Sequence, residues 1–184
     1  MKENISVIIA AAGSGERAKL NKNKILEDVG GNPCIKRTFD AFYSSGLINE
    51  YIVAAKPEEI PLIKPLLPAA VKYAAGGATR TQSVKNALAL TSGEIVLIHD
   101  GARPFVSEKI IRDCVDSAIK YDSGVAAIPS RDTVVKKTDG DYEYLGKKDI
   151  LLVQTPQAFI TEEIKRAYAV AADKTFNDDG EVYL

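Results

Sequence analysis

The chain has 184 residues and a formal net charge of −1, with 46% hydrophobic and 27% charged residues. These values are typical of one globular domain with a sizeable core, and they give no reason to expect nucleic acid or an anionic membrane as a partner. No apolar run approaches the roughly 20 residues of a membrane span, and no secretory signal precedes the first predicted strand.

The cysteines and the single histidine bear on compartment and metal chemistry. Cys34 and Cys114 are far apart, and each lies in a helical pattern. We expect both to be reduced core thiols of a cytoplasmic protein, not a disulfide or a metal-binding pair. With one histidine and no cysteine cluster, the sequence predicts no zinc site.

The first predicted strand runs into a loop that suits an anion. Val7-Ile8-Ile9 is too short for a helix, and its β-branched residues without alternation predict a strand buried on both faces. Ala10–Ala12 and two glycines, Gly13 and Gly15, follow, and cations occur between Arg17 and Lys24. Glycines permit turns that a Cβ forbids, and exposed N–H groups beside cations suit phosphate. We interpret this stretch as a phosphate-binding loop; the alternative is a glycine turn with solvated lysines.

This loop matches the dinucleotide-binding fingerprint only formally. Gly13-x-Gly15-x-x-Ala18 has the fingerprint's spacing, but a polar stretch follows it where a helix should begin. The next predicted strand ends at Lys56 and not near an acidic residue that could bind a ribose. The Gly-Lys-Ser/Thr pattern of a P-loop is absent. A phosphate loop therefore remains, and a nicotinamide site is not expected.

Strand and helix patterns alternate along the rest of the chain. The predicted strands are Tyr51–Ala55, Val71–Ala75, Glu94–Ile98, Gly124–Ile128 and the core strand Leu151–Val153; helices are expected to begin at Asn32-Pro33, Thr79, Ser107 and Thr161. Pro57–Pro68 holds four prolines, so any helix there is short or broken. No element is predicted for Asn177–Leu184. This alternation predicts an α/β fold with a doubly wound, mostly parallel sheet.

A polar hairpin is predicted after the fifth strand. Asp132–Lys137 and Tyr142–Leu145 are short strand candidates, and Asp139-Gly140 forms a turn between them. Because the two arms carry little apolar surface, they must lie on the body of the protein or on another subunit.

Four polar stretches are each predicted to follow a strand: 10–24, 76–83, 99–104 and 154–157. Such ends share one edge of a parallel sheet, so we expect six side chains to converge there: Arg17, Lys24, Arg80, Asp100, Arg103 and Thr155. Cations around one carboxylate, without a nucleophilic triad, suit phosphoryl chemistry, and the carboxylate is a candidate ligand for Mg²⁺. For His99 we favour a packing or backbone role over catalysis.

Five motifs in register resemble one family. They are Ala10–Arg17 with Lys24, Gly76–Val84, His99–Pro104, Arg131–Thr133 and Gln154–Gln157. Together they span nearly the whole chain and resemble the 2-C-methyl-D-erythritol 4-phosphate cytidylyltransferases of the non-mevalonate isoprenoid pathway. The resemblance implies a single Rossmann-like nucleotidyltransferase domain over residues 1–184, acting on CTP with Mg²⁺. The ribitol-5-phosphate cytidylyltransferases share the fold and most of the motifs.

The resemblance also implies roles for particular residues. The catalytic residues would be Arg17 and Lys24. The nucleotide-binding residues would be Ala11, Ala12, Gly13, Ser14, Gly15, Gly77, Arg80 and Ser83. The residues binding the sugar-alcohol phosphate would be Asp100, Arg103, Thr133, Lys147 and Thr155, and Asp100 is also the candidate metal ligand. The hairpin, residues 130–148, would be a dimer arm reaching into the partner's active site.

The chain departs from the family pattern at three places. Lys24 is flanked by Asn23 and Ile25, where proline and glutamine are usual. Lys147 stands where an arginine usually grips the substrate phosphate, and lysine lacks the bidentate fork. Asn177-Asp178-Asp179 stands where a Thr-Asp pair that contacts the substrate is common.

Two alternatives therefore stay open, namely ribitol 5-phosphate as the substrate and a non-catalytic nucleotide-binding subunit of the same fold. The family continues with another strand and a final helix, so we expect the natural protein to extend beyond Leu184.

Overall fold

A computed structural model describes residues 3–13, 23–171, 174 and 176–184 of the chain. The strands in these ranges are β1 (Ile5–Ala10), β2 (Glu50–Ala55), β3 (Lys72–Ala75), β4 (Ile95–Asp100), β5 (Ser123–Pro129), β6 (Val134–Thr138), β7 (Asp141–Leu145) and β8 (Leu151–Ile160). The helices are α1 (Cys34–Ser44), α2 (Ile60–Ile63), α3 (Arg80–Leu88), α4 (Glu108–Tyr121), α5 (Thr161–Val170) and α6 (Asp179–Tyr183). Of these described helices, none has the length and apolar character needed to cross a membrane.

The central sheet has six strands in the order β3-β2-β1-β4-β8-β5. β1 pairs in parallel with β2 and with β4, and β2 pairs in parallel with β3. β8 runs antiparallel to its neighbours β4 and β5. The predicted doubly wound, mostly parallel α/β sheet is confirmed.

Apolar residues on both faces of the sheet explain the layered architecture. In β1, Val7 and Ile9 pack into one core with α1 and α4, and Ile8 packs into the other with α3, α5 and α6. All three side chains are buried. A strand covered on both sides needs a continuous apolar run, which is the pattern that predicted it.

Side-chain caps define the starts of two helices as predicted. The hydroxyl of Thr79 accepts from the Gln82 amide at the start of α3, and Ser107 accepts from the Ile110 amide at the start of α4. α1 begins at Cys34, after the predicted Asn32-Pro33 start, and Pro33 takes the cap position without a side-chain bond. The carbonyl of Asn32 accepts from the Val29 amide at 2.8 Å in the preceding turn.

The strand after the hairpin is longer and less buried at its start than the sequence predicts. Leu151, Leu152 and Val153 are 61%, 40% and 45% exposed, so they are not a core strand. At that end β8 pairs only with β5, and further on, from Gln157 to Ile160, it also pairs with β4. An apolar run does not reveal how many neighbours a strand has, and that number decides its burial here.

The C-terminal residues form α6, which the sequence pattern did not predict. Asp178 caps this helix by accepting from the Glu181 amide at 2.9 Å, and Glu181 accepts in return from the Asn177 amide at 2.8 Å. Val182 packs against the same core as α5. An acid at the cap position followed by a glutamate three residues later is a helix-start signal, although Glu181 here accepts from the residue before the cap.

The predicted hairpin is confirmed as a separate two-stranded sheet of β6 and β7. Gly140 at its tip has a φ of 91°, which a residue with a Cβ rarely adopts. Tyr142 and Tyr144 are exposed on β7. The hairpin therefore projects apolar rings that its own chain does not cover.

Glu50 should govern part of the acid stability. Its carboxylate accepts from Ser6, Lys72 and the Ser92 backbone and hydroxyl. Burial alone would raise the pKa of Glu50, but these donors outweigh it and lower the pKa from 4.5 to about 2. The stabilisation is therefore complete above the unfolded value and is lost as the pH falls towards 2. Glu50→Gln should lower the free energy of unfolding at pH 7 by roughly 2 kcal/mol.

Urea titrations between pH 2 and 7 would check this. Glu50→Gln should reduce the change of the unfolding free energy between pH 2 and 7. The control Glu58→Gln, at an exposed carboxylate shortly after β2, should not reduce it. Equal pH dependence in wild type and Glu50→Gln would contradict the assignment.

Candidate active site

The sheet brings most of the predicted polar stretches to one edge. β1, β3 and β4 end at Ala10, Ala75 and Asp100, and parallel strands present their carboxyl ends together. The fourth stretch, 154–157, was predicted to follow a strand, but it is the middle of β8. It still reaches this edge, because β8 runs antiparallel past the end of β4. Thr155 Oγ accepts from the Asp100 amide at 3.2 Å.

Part of the predicted phosphate loop lies outside the described residues. Arg17, Ser14 and Gly15 all fall in the segment 14–22, of which nothing is described. Ala11 is buried and donates its amide to the Ala54 carbonyl at 2.7 Å, which carries the sheet pairing one step beyond β1.

Small residues form a close-packed wall between β1 and β3. A Cβ on Gly76 would lie 2.4 Å from the Cβ of Ala12, so no side chain fits there. A Cβ on Gly77 would lie 2.2 Å from Cγ of Gln82, and the Gly77 amide donates to Ser83 Oγ at 3.0 Å. Small, closely packed residues therefore stand at the place where the sequence predicts the nucleotide.

Lys24 sits on a short 3₁₀ turn, Lys24–Leu26, that Asn23 holds. The side-chain amide of Asn23 donates to the Ala11 carbonyl at 3.3 Å and to Glu59 Oε2 at 2.8 Å, while its oxygen accepts from the Ile25 amide. Asn23 thus ties the Lys24 turn to the end of β1, where a proline could make none of these side-chain bonds. Lys24 itself is exposed, and its charge lowers the pKa of the nearby Cys34 thiol against a larger increase from burial.

We expect Asn23→Ala to lower turnover about tenfold, because losing a buried hydrogen-bond network costs about 1–2 kcal/mol and frees the Lys24 turn. Asn23→Asp should be worse, since an anion then faces Glu59, and Glu59→Gln should rescue it. Steady-state kinetics of the three variants and the double variant decide the point; no rescue would show that Glu59 does not hold Asn23.

Asp100 lies between two arginines. Its Oδ1 accepts from Arg80 Nε at 3.3 Å, and its Oδ2 accepts from Arg103 Nε at 3.0 Å. Burial would raise the pKa of Asp100, but the two guanidinium groups outweigh it and hold the pKa below its usual value. The site therefore keeps a carboxylate that is ionised and fixed in orientation.

His99 has the packing role that the sequence favours. It is fully buried, its ring meets Phe42 edge-on with centroids 4.9 Å apart, and its Nε2 lies 3.0 Å from the Arg103 carbonyl oxygen. Burial lowers the pKa of His99 to about 4, so the ring is neutral near pH 7. It braces the Arg103 turn.

Thr133 and Lys147 lie at the base of the hairpin, apart from this cluster. Lys147 Nζ donates to the Arg131 carbonyl at 3.0 Å, and Thr133 precedes β6 on an exposed stretch. Among the described residues, neither side chain hydrogen-bonds to Asp100 or its arginines.

A cavity of about 750 Å³ opens beside Arg103. Gln154, Thr155 and apolar residues of α4 and β5 line it. The wall of small residues at Gly76 and Gly77 does not line it, so this space adjoins the predicted alcohol-phosphate side of the site.

The sequence analysis assigned no individual role to several residues behind the cluster. Asp179 accepts hydrogen bonds from Arg80 and from the Tyr168 hydroxyl. Gln154 accepts from Arg103, and Gln157 is fully buried. The adjacent acids at 178–179 were a usable signal, but their link to Arg80 spans 99 residues and needs the fold.

The α/β sheet carries small residues, a lysine turn and a carboxylate fixed by two arginines at the carboxyl edge of its parallel strands, an arrangement that suits a nucleotidyltransferase. The family model for IspD, 2-C-methyl-D-erythritol 4-phosphate cytidylyltransferase, matches residues 5–183. The chain belongs to this family of cytidylyltransferases.

Relatives and solved structures agree with that assignment. The chain is 40% identical over 170 residues to a 2-C-methyl-D-erythritol 4-phosphate cytidylyltransferase of Clostridium acetobutylicum, covering 88% of this chain and 74% of the relative. It is 37% identical to one of Bacillus mycoides, covering 93% and 79%. The 4-diphosphocytidyl-2C-methyl-D-erythritol synthase structure from Anaerococcus prevotii superimposes with a TM-score of 0.88 at 28% identity, covering 100% of this chain and 84% of that one.

Proposed function

We propose that this protein transfers the cytidylyl group of CTP to 2-C-methyl-D-erythritol 4-phosphate, releasing pyrophosphate. The observation that carries the proposal is the carboxylate of Asp100, fixed between Arg80 and Arg103 beside the Gly76-Gly77 wall. A nucleotide and an anionic second substrate can meet at such an edge.

The reaction needs positioning and charge stabilisation more than acid–base chemistry. An anionic phosphate oxygen of the alcohol phosphate attacks the α-phosphorus of CTP and forms a new O–P bond. The bond from the α-phosphorus to the bridging oxygen breaks, and its electron pair leaves with pyrophosphate. Negative charge grows on the α-phosphate oxygens, and Lys24, with Arg17, stabilises it.

The remaining residues are assigned to the two substrates. Small residues surround the base of the nucleotide, so the base must be small, which favours cytosine over a purine. These residues are Ala11–Gly13, Ser14, Gly15, Gly77 and Ser83. Asp100 accepts from hydroxyls of the alcohol, while Arg103 and Thr155 bind beside it. Arg80 is assigned to the nucleotide. The carboxylates of Asp100 and Asp179, which accept hydrogen bonds from it, also orient its guanidinium group.

Mg²⁺ is the metal that we propose for the reaction. Among the described residues no group of three or more metal-binding side chains occurs. This suits Mg²⁺, which is usually held by one or two carboxylates together with substrate phosphates. Asp100 would be the protein ligand, since a carboxylate offers about four acceptor positions and the arginines occupy two. Bound to the triphosphate, the ion would neutralise part of its charge.

We further propose a cytoplasmic homodimer held by residues 130–148. The exposed rings of Tyr142 and Tyr144 and the exposed Leu151–Val153 lie along the hairpin and its base. A two-stranded hairpin is marginal alone, so a two-fold partner gives these groups a surface to bury. The partner's hairpin would then deliver Thr133 and Lys147 to the site. Two buried free thiols suit a reducing compartment.

The test is pyrophosphate release with CTP, Mg²⁺ and methylerythritol phosphate. Release should need all three, and ATP or GTP should support it at least about 100-fold less well, because the close-packed wall excludes a purine. Comparable rates with a purine triphosphate would contradict the nucleotide assignment. Binding of CTP without turnover would favour the non-catalytic alternative.

A further inference from the structure

Asp179 is a fully buried carboxylate behind the site. Its Oδ1 accepts from Arg80 Nη1 at 3.0 Å and from the Tyr168 hydroxyl at 2.6 Å, and its Oδ2 accepts from Arg80 Nη2 at 2.7 Å. The pair is bidentate, the geometry that fixes a planar guanidinium most firmly.

Arg80 spans two carboxylates with one rigid group. While its terminal nitrogens face Asp179, its Nε faces Asp100 at 3.3 Å. Because the guanidinium is planar, the bidentate contact on one side dictates where Nε points on the other. Burial would lower the pKa of Arg80, but Asp179 and Asp100 outweigh it and raise the pKa, so Arg80 remains a cation.

A second route joins the same elements through β8. Gly180, next to Asp179, donates its amide to Gln157 Oε1 at 2.9 Å, and Gln157 Nε2 donates to the Gln154 carbonyl at 3.2 Å. The side-chain oxygen of Gln154 in turn accepts from Arg103, which holds the other oxygen of Asp100. The contacts therefore close a ring that runs from α6 through Arg80, Asp100 and β8.

We propose that Asp179 is a positioning residue of the substrate site, which holds Arg80 and through it fixes the carboxylate of Asp100. The proposal rests on the proposed function and deepens it, because Asp100 is assigned there to the sugar-alcohol phosphate. Stability alone does not explain the arrangement, since a buried ion pair often stabilises a fold no more than apolar residues of the same volume. Because the Arg80–Asp179 pair also contacts Asp100, it can fix the orientation of the Asp100 carboxylate.

Steady-state kinetics of Asp179→Asn separate positioning from folding. The asparagine keeps the shape and loses the charge and the bidentate contact. We expect the KM for methylerythritol phosphate to rise at least about tenfold, and the KM for CTP, to which Arg80 is also assigned, to rise several-fold less than that. Tyr168→Phe should raise the same KM about threefold. The control Asp116→Asn, at an exposed carboxylate on α4, should change neither KM.

A double variant sharpens the result. Arg80→Lys loses the bidentate contact, so adding Asp179→Asn to it should cost less than the product of the single effects. Multiplicative effects, or unchanged KM values in a folded Asp179→Asn, would overturn the proposal. If Asp179→Asn does not fold, the milder Tyr168→Phe decides by the same criterion.

An NMR measurement tests the proposal without activity. The Nε–H resonance of Arg80, identified by its loss in Arg80→Lys, should be protected from water exchange in wild type and in Asp116→Asn, and should lose that protection in Asp179→Asn. Retained protection in Asp179→Asn would overturn the positioning role. If wild type releases no pyrophosphate while the NMR result holds, the proposed function fails and the Asp179–Arg80 link stands.

Discussion

Lys24→Ala is expected to lower the turnover number at least about 100-fold, the usual effect of removing one preorganised charge from a developing anion. The KM for CTP should change much less, because the charge that Lys24 meets grows only as the α-phosphorus is attacked. Asn23 fixes the turn that carries Lys24 to the end of β1, so the ammonium is placed before the substrate binds.

Pre-steady-state and steady-state kinetics of Lys24→Ala would measure this loss. Lys120→Ala is the matched control, because its side chain is exposed at the C-terminal end of α4 and lies over the ring of Tyr121. Near-normal turnover in Lys24→Ala would remove this lysine from the mechanism. Lys24→Arg should recover part of the rate, since the charge remains while its position shifts.

Deleting Lys136–Glu143 and closing the hairpin with Asn-Gly should convert a dimer into monomers with poor activity. β6 and β7 form their own sheet, and Tyr142 and Tyr144 stay exposed on it. Without the hairpin, the partner loses the groups that we assign to its substrate site, Thr133 and Lys147, because they stand at the hairpin's base.

Light scattering at micromolar concentration would give the oligomeric state of both proteins. Replacing Tyr142 and Tyr144 by alanine should weaken the dimer without shortening the chain, and Asp139→Asn at the hairpin tip should leave it intact. A monomeric wild type at that concentration would contradict the dimer proposal, and a dimeric deletion variant would place the interface elsewhere.

The sequence predicted the parallel part of the sheet because burial on two faces leaves a plain mark. Val7-Ile8-Ile9 has to be apolar throughout, and Thr79 and Ser107 cap helices through bonds to residues three positions away. Such features depend on near neighbours. The hairpin was predictable for the same reason, since Gly140 supplies the backbone conformation that its tip needs.

The sequence did not predict features that depend on distant pairing. Leu151–Val153 looks like a core strand, but its exposure follows from having a single neighbour in the sheet. The place of Thr155 beside Asp100 comes from the antiparallel direction of β8, which no local pattern encodes. Asp179 reads as a polar residue near the chain's end, although it is among the most buried charges of the described residues.

The most direct test of the central claim is a competition between two alcohol phosphates for CTP. Mass spectrometry would follow the products when the protein is given CTP, Mg²⁺ and equal amounts of methylerythritol phosphate and ribitol 5-phosphate. We predict CDP-methylerythritol as the dominant product, formed together with an equal amount of pyrophosphate. Predominant CDP-ribitol, or no CDP-alcohol of either kind, would contradict the proposed function.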